Sequence, residues 1–297
     1  MRSLLGLGIA RREVAASAPF LRLSISDSLL GEANLNDARA AMKVWISRVM
    51  QDVQARVDIN AEFFERFEVI AHKLESGALD SAALNAVEYW RLRPMFDPSI
   101  LACPTYTGTQ QLQVLVRRDA GYQSIADLKN KRLMVHQSPR MSTAMAWLHL
   151  LTVPHGGPVG ARFFADIQHA SRPQQVVLSV FFRKAEACLI LAPVVSPLGE
   201  LNPQLSKQLV AIETSPELVA GAYALSKQTH PKAKQILAGS MSLMAESVSG
   251  RQVLSLFQLQ DLRIRNASHM YPTMDLIDKA VAKGWQDEHG IVRGATS

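Results

Sequence analysis

The sequence predicts an α/β fold of sheets flanked by helices, and three observations carry that reading. Short strand-like runs alternate with segments of helical period along almost the whole chain. Hydrophobic residues make up 48% of the 297 positions, enough for a sizeable core and too many for a disordered chain. No fixed-period repeat and no low-complexity linker interrupts the pattern.

Leu21-Arg22-Leu23-Ser24-Ile25 alternates as a strand does. Leu35, Ala38, Met42, Trp45, Ile46, Val49 and Val53 recur at helical spacing, and a strand follows near Val57-Asp58-Ile59. Phe67, Ile70, Ala71 and Leu74 mark a helix stopped at Gly77. Residues 82–87 read as a strand, followed by a helical segment reaching Pro94. Leu101-Ala102-Cys103 is strand-like, and residues 110–116 form a strong strand. Leu133-Met134-Val135 is the next strand, Ala144 to Leu151 a helix, and Arg162-Phe163-Phe164 the opening of another strand. Val176 to Phe182 belongs to a helix, while Cys188 to Leu191 and Leu209 to Ile212 are strands. Val219 to Leu225 carries the chain back across, and helices follow at about 231–246, 250–258 and 273–284. Such alternation predicts parallel sheets.

The net charge of +6 favours anionic partners, but basic residues come only in short groups such as Lys129-Asn130-Lys131-Arg132. No zinc-finger or basic-zipper pattern occurs, so nucleic acid is not an expected partner. The two cysteines, Cys103 and Cys188, lie in apolar runs and read as buried thiols, not a disulfide. No run reaches the roughly 18 apolar residues of a membrane span. Residues 1–19 combine an apolar stretch, Leu4 to Ala10, with Ala16-Ser17-Ala18, but Arg11-Arg12-Glu13 interrupts them. They read as a truncated export signal or a disordered leader.

Gly6-Leu7-Gly8-Ile9-Ala10-Arg11 starts like a dinucleotide fingerprint, but no strand precedes it and Arg11 stands at the third glycine. No P-loop, His-Glu-x-x-His or Gly-x-Ser-x-Gly elbow occurs, and the eight histidines lack zinc-ligand spacing. Neither a metal nor a cofactor is expected. One stretch has a mechanism. Ser138-Pro139-Arg140-Met141-Ser142-Thr143 lies between a strand and an apolar helix. Its hydroxyls and the free N–H groups of the helix start suit an oxyanion. The competing reading is simple capping by Ser142.

Several segments resemble a known family. Leu112 to Gly121 with Ser124-Ile125-Ala126-Asp127-Leu128-Lys129-Asn130-Lys131-Arg132-Leu133 is similar to the entry into the second lobe of type 2 periplasmic binding proteins. The similarity is to the phosphate, phosphite and phosphonate branch of ABC-transporter substrate-binding proteins. Leu74 to Asp80 with Glu88-Tyr89 resembles that branch's first-lobe segment. Phe181-Phe182-Arg183-Lys184-Ala185-Glu186-Ala187 resembles its glycine-x-x-aspartate-alanine step, with Arg183 and Glu186 substituted. Glu200-Leu201-Asn202-Pro203 and Gly250-Arg251-Gln252-Val253-Leu254 also match.

The resemblance covers about residues 20–280. It implies a two-lobed fold whose lobes are joined by two crossover strands, near 107–114 and 214–223. Lobe one would comprise 20–110 and 218–297, and lobe two 111–217. Carried over, ligand contacts would come from Ser26, Asp27 and Ser28, from Glu88 and Tyr89, from Ser142 and Thr143, and from His169. Ala144-Met145 replaces the glycine end of the family's helix start. Leu191-Ala192-Pro193 stands where aminophosphonate binders carry acids. The implied function is that of a periplasmic, monomeric binding protein that delivers a small anion to an ABC permease. A cytoplasmic location and an enzyme of cofactor biosynthesis on the same fold remain open at this point.

Overall fold

The computed structural model describes residues 20–52, 58–157 and 163–287. The leader segment over 1–19, and Val53, Val57 and Arg162 of the expected elements, lie outside them.

The first stretch of chain runs β1 (Phe20–Ser26), α1 (Leu35–Asp52), β2 (Asp58–Glu65), α2 (Phe67–Glu75), β3 (Ser81–Asn85), α3 (Ala86–Leu92) and β4 (Phe96–Thr105). It then builds β5 (Leu112–Arg117), β6 (Arg132–His136), α4 (Ala144–Thr152), β7 (Asp166–Ala170), α5 (Pro173–Phe181), β8 (Ala187–Leu191), α6 (Val195–Leu201), α7 (Pro203–Gln208) and β9 (Leu209–Thr214). It returns through β10 (Gly221–Ser226), α8 (Pro231–Ser242), α9 (Val248–Leu256), β11 (Asp261–Arg265) and α10 (Tyr271–Ala282).

Two sheets result, one in each lobe. The first has the order β11-β4-β10-β3-β1-β2 and the second β7-β6-β8-β5-β9. The chain therefore passes between sheets twice, after β4 and after β9. The alternation predicted parallel sheets, but both sheets are mixed. β1 pairs parallel with β2 and β3, and β6 with β7 and β8. β10 is antiparallel to β3 and β4, β11 to β4, and β5 to β8 and β9. Parallel pairing needs a crossover helix that returns the chain to its starting end. β5 and β10 arrive from the other lobe without one and run backwards.

Several boundaries move for local reasons. The strand expected over 82–87 ends at Asn85, whose side chain accepts from the Val87 and Glu88 N–H groups while Glu88 accepts from the Asn85 N–H. This reciprocal cap starts α3 at Ala86. Phe163 and Phe164 do not open a strand. They are buried in a turn, edge to face at 4.9 Å, and β7 begins at Asp166. The helix expected over 231–246 stops at Ser242. β11, α6 and α7 are elements beyond those expected.

One face of the first sheet packs on α2 and α10 through Leu84, Leu101 and Ala222, in a core continuous with that of the second lobe. The other face, with Leu23, Ile25, Ala102 and Tyr223, packs on α1, α8 and α9. The second sheet meets α5 through Cys188 and Ile190. Both cysteines are free and buried. The end of α10 reaches the second sheet's layer: the carbonyl of Lys283, the residue after the helix, lies 3.0 Å from His149 Nε2 on α4, while Thr273 Oγ1 accepts from the Val219 N–H beside β10. No helix among the described residues is long and apolar enough to cross a membrane.

Candidate functional site

A cavity of 1530 Å³ lies between the two sheets, and the ends of β1, β3 and β6 open onto it. Its second-lobe wall is the stretch from His136 to Ser142. β6 is buried to its last residue, so the chain leaves the sheet inside the cleft. Pro139 opens a single 3-10 turn, and Met141 is buried in the core, which fixes the turn in place.

Arg140 projects from that turn. Its Nε donates to Gln110 Oε1 at 2.8 Å, and Gln110 Nε2 donates back to the Arg140 carbonyl at 2.9 Å. The guanidinium carbon sits 4.0 Å from the centre of the Tyr106 ring. Tyr106 and Gln110 belong to the segment crossing from β4 to β5. Burial pulls the Arg140 pKa below its ordinary value, yet a guanidinium stays charged in a protein. No carboxylate pairs with it among the described residues. Its Nη2 is buried without a hydrogen-bond partner.

Three further atoms on the same wall share that condition: Ser138 Oγ, Ser142 Oγ and His136 Nδ1. Buried polar atoms are nearly always bonded, so four unpaired ones within seven residues of one cavity wall call for a polar occupant. His136 Nε2 lies 3.1 Å from the Ser171 carbonyl. A carbonyl can only accept, so Nε2 carries the proton and neutral Nδ1 offers a lone pair. Burial is the main cause lowering the His136 pKa.

The first-lobe wall is acidic. Asp27, Ser28, Asn85 and Glu88 line it. Ser26 Oγ donates to Glu88 Oε1 at 2.7 Å and lies 3.0 Å from Ser28 Oγ, which also accepts from Asn85 Nδ2 at 3.0 Å. Burial raises the Glu88 pKa against the hydrogen bonds from Ser26, Asn85 and Ser28, and Asp27 adds repulsion. At the mouth the two lobes touch. A Cβ on Gly31, at φ +57°, would lie 3.1 Å from Pro139 Cγ and Cδ.

The expected site residues fall into two groups. Asp27, Ser28, Glu88, Ser142 and His169 line the cavity, with His169 exposed on β7 at its rim. Ser26, Tyr89 and Thr143 do not. Ser26 is fully buried beneath Glu88. Tyr89 turns the other way and stacks on Phe96 at 5.9 Å, beside a separate 160 Å³ pocket. Thr143 is buried at the N-cap of α4 without a side-chain cap bond. Ser142 Oγ has no partner either, so neither hydroxyl caps the helix. His136, Ser138, Arg140, Tyr106 and Gln110 escaped the sequence reading. Ser138 and Arg140 lay inside the stretch it singled out, but burial without a counter-charge is visible only in three dimensions. Among the described residues no group of three or more His, Cys, Asp or Glu could hold a metal.

The family model for the ABC transporter, phosphonate, periplasmic substrate-binding protein matches residues 32–270. No curated protein sequence matches the chain. Among solved structures, XAC2383 from Xanthomonas citri bound to ATP aligns with a TM-score of 0.63 at 13% identity, over 90% of this chain and 98% of that one. PhnD1 from Prochlorococcus marinus in complex with methylphosphonate gives 0.56 at 12% identity, over 89% and 98%. A binding protein component of an ABC phosphonate transporter from Pseudomonas aeruginosa gives 0.56 at 13%, over 92% of each chain. These structural likenesses carry the two-lobed fold, and the family match, spanning most of the sequence, carries membership: the chain belongs to the periplasmic substrate-binding proteins of phosphonate ABC transporters.

Proposed function

We propose that this protein captures a small oxyanion between its lobes, anchored by Arg140, and delivers it to an ABC importer. The observation that carries this is the half-buried Arg140, whose guanidinium has no carboxylate partner among the described residues and whose Nη2 is enclosed and unpaired. Enclosing part of a cation without a counter-charge is costly, and a bound oxyanion supplies both the counter-charge and the acceptor atoms. Ser138 and Ser142 donate their free hydroxyls to the same oxyanion, and the N-terminus of α4 adds its dipole. Methylphosphonate and ATP, the ligands of two structural relatives, share a tetrahedral phosphoryl group.

Asp27, Ser28, Glu88 and His169 face this anchor from the opposite wall and the rim, where they read the rest of the ligand. Ser26 supports Glu88 from beneath. The lobes divide at residues 110 and 218, and the two connecting segments act as the hinge. Binding proceeds by closure, without turnover, by a monomer in the periplasm.

Calorimetry with methylphosphonate, phosphate and sulfate tests the reading on the wild type and on Arg140→Gln. Removing one partner of a buried charge pair costs about 2–5 kcal/mol, or roughly 30-fold to several thousandfold in Kd. An anion that binds both proteins equally removes Arg140 as the anchor.

A further inference from the structure

The cavity does not stop at the anion-binding wall. At 1530 Å³ it exceeds the roughly 300–1,000 Å³ of ordinary small-molecule sites. A methylphosphonate head fills only a fraction of it. Part of the remainder is lined by Leu29, Leu30 and residues between the first sheet and its covering helices.

Strand register builds the floor of that chamber. Ile25 pairs with Ala83, Ala83 with Tyr223, and Tyr223 with Ala102. These four side chains form one row across the sheet, and all line the cavity. Two are alanines, which leave room where larger residues would fill the gap to the helices. The Tyr223 hydroxyl is bonded to Ser81 Oγ at 2.5 Å, so the chamber meets the ring rather than the hydroxyl. The roof is Met42 and Trp45 from α1 and Met241 from α8. Methionine adapts its shape to irregular apolar guests. Among the described residues, every cavity-lining side-chain polar atom that is buried without a partner lies on the opposite wall, between His136 and Ser142. The two parts of the cavity thus ask for different chemistry.

We propose that the chamber receives an apolar tail, making the ligand an amphiphilic oxyanion such as an alkylphosphonate or alkyl phosphate. Its head sits at Arg140 and its hydrocarbon chain lies between the sheet and α1. This inference rests on the Arg140 reading for the head alone.

The test is a calorimetric series of methyl-, butyl- and octylphosphonate on the wild type, Ala83→Leu and Arg140→Gln. Each buried methylene contributes about 0.8 kcal/mol, close to fourfold in affinity. Octylphosphonate should bind the wild type at least about a hundredfold more tightly than methylphosphonate, a conservative share of seven added methylenes. Ala83→Leu should flatten the gradient while keeping methylphosphonate affinity, and Arg140→Gln should weaken the whole series. A melting curve confirms that each variant folds, and Ala83→Val replaces Ala83→Leu if it does not. Equal affinities across the wild-type series overturn the chamber and leave the anion site standing. A gradient that survives in the folded Ala83 variant overturns its location. Octylphosphonate binding that ignores Arg140→Gln overturns the joined head-and-tail site.

Discussion

Replacing Ser142 with alanine separates a ligand contact from a helix cap, because the two roles move different observables. The Ser142 hydroxyl bonds to nothing in the fold, and Thr143 precedes α4 as its N-cap without a side-chain cap bond. Removing it therefore breaks no intramolecular hydrogen bond. Stability should change by no more than about 0.5 kcal/mol, the usual range for a substitution that breaks no structural interaction. A lost N-cap would cost about 1 kcal/mol, which in a protein of this size lowers Tm by at least about 2 °C. A hydrogen bond to a charged group contributes about 1.5–3 kcal/mol, so an oxyanion held by Ser142 should bind about tenfold to 150-fold more weakly. The assay is a melting curve without ligand, paired with titration of methylphosphonate. Thr143→Val serves as the control, since Thr143 is buried outside the cavity, and its affinity should not change. A Ser142→Ala protein that melts 2 °C or more lower and binds as tightly as wild type refutes the reasoning.

Glu88→Gln should tighten anion binding by removing negative charge from the facing wall, and a loss of affinity would instead make Glu88 a direct anchor. The same variant has a pH signature. Burial raises the Glu88 pKa above 4.5, so the folded protein holds that proton more tightly than the unfolded chain. The stability it confers is fully present below pH 4.5 and is lost as pH rises through the folded value. Denaturation curves should show Glu88→Gln gaining on wild type as pH increases across that window. Gly31→Ala should cost about 1–2 kcal/mol of stability from its left-handed backbone and also weaken binding, because the added Cβ presses on Pro139. An unchanged Kd would show that the Gly31–Pro139 contact takes no part in closure.

Local patterning made most of the architecture legible. β1, α1, α2, β6, α4 and β8 each carry their period in their own residues. What it could not supply was pairing. Nothing within Gly221–Ser226 states that it runs against β3 and β4, since that direction follows from where the chain enters the sheet. β11 escaped because Asp261, Arg263 and Arg265 give an edge strand the composition of a loop. Phe163 and Phe164 misled because two aromatics look like a strand, although here they fill the core from a turn. At the site, the Ser138–Thr143 stretch was visible as an anion-suited turn. Its central arginine was not, because an arginine in a loop is ordinarily solvated. Only the packing of Tyr106 and Gln110 around it half-buries the side chain and encloses Nη2.

That packing has a consequence for how such a receptor diversifies. Tyr106 and Gln110 sit on the segment that crosses between the sheets, so on the proposed reading the residue that grips the ligand's charge is bolted to the pivot itself. On that reading an anion drawing on Arg140 would pull through one reciprocal hydrogen-bonded pair on the segment proposed to bend as the lobes close. The first-lobe wall and its apolar chamber lie off that line. Their side chains can be exchanged to suit a new guest while the linkage between charge capture and movement stays as built. Choice of cargo and the mechanics of closing would then rest on separate parts of the molecule.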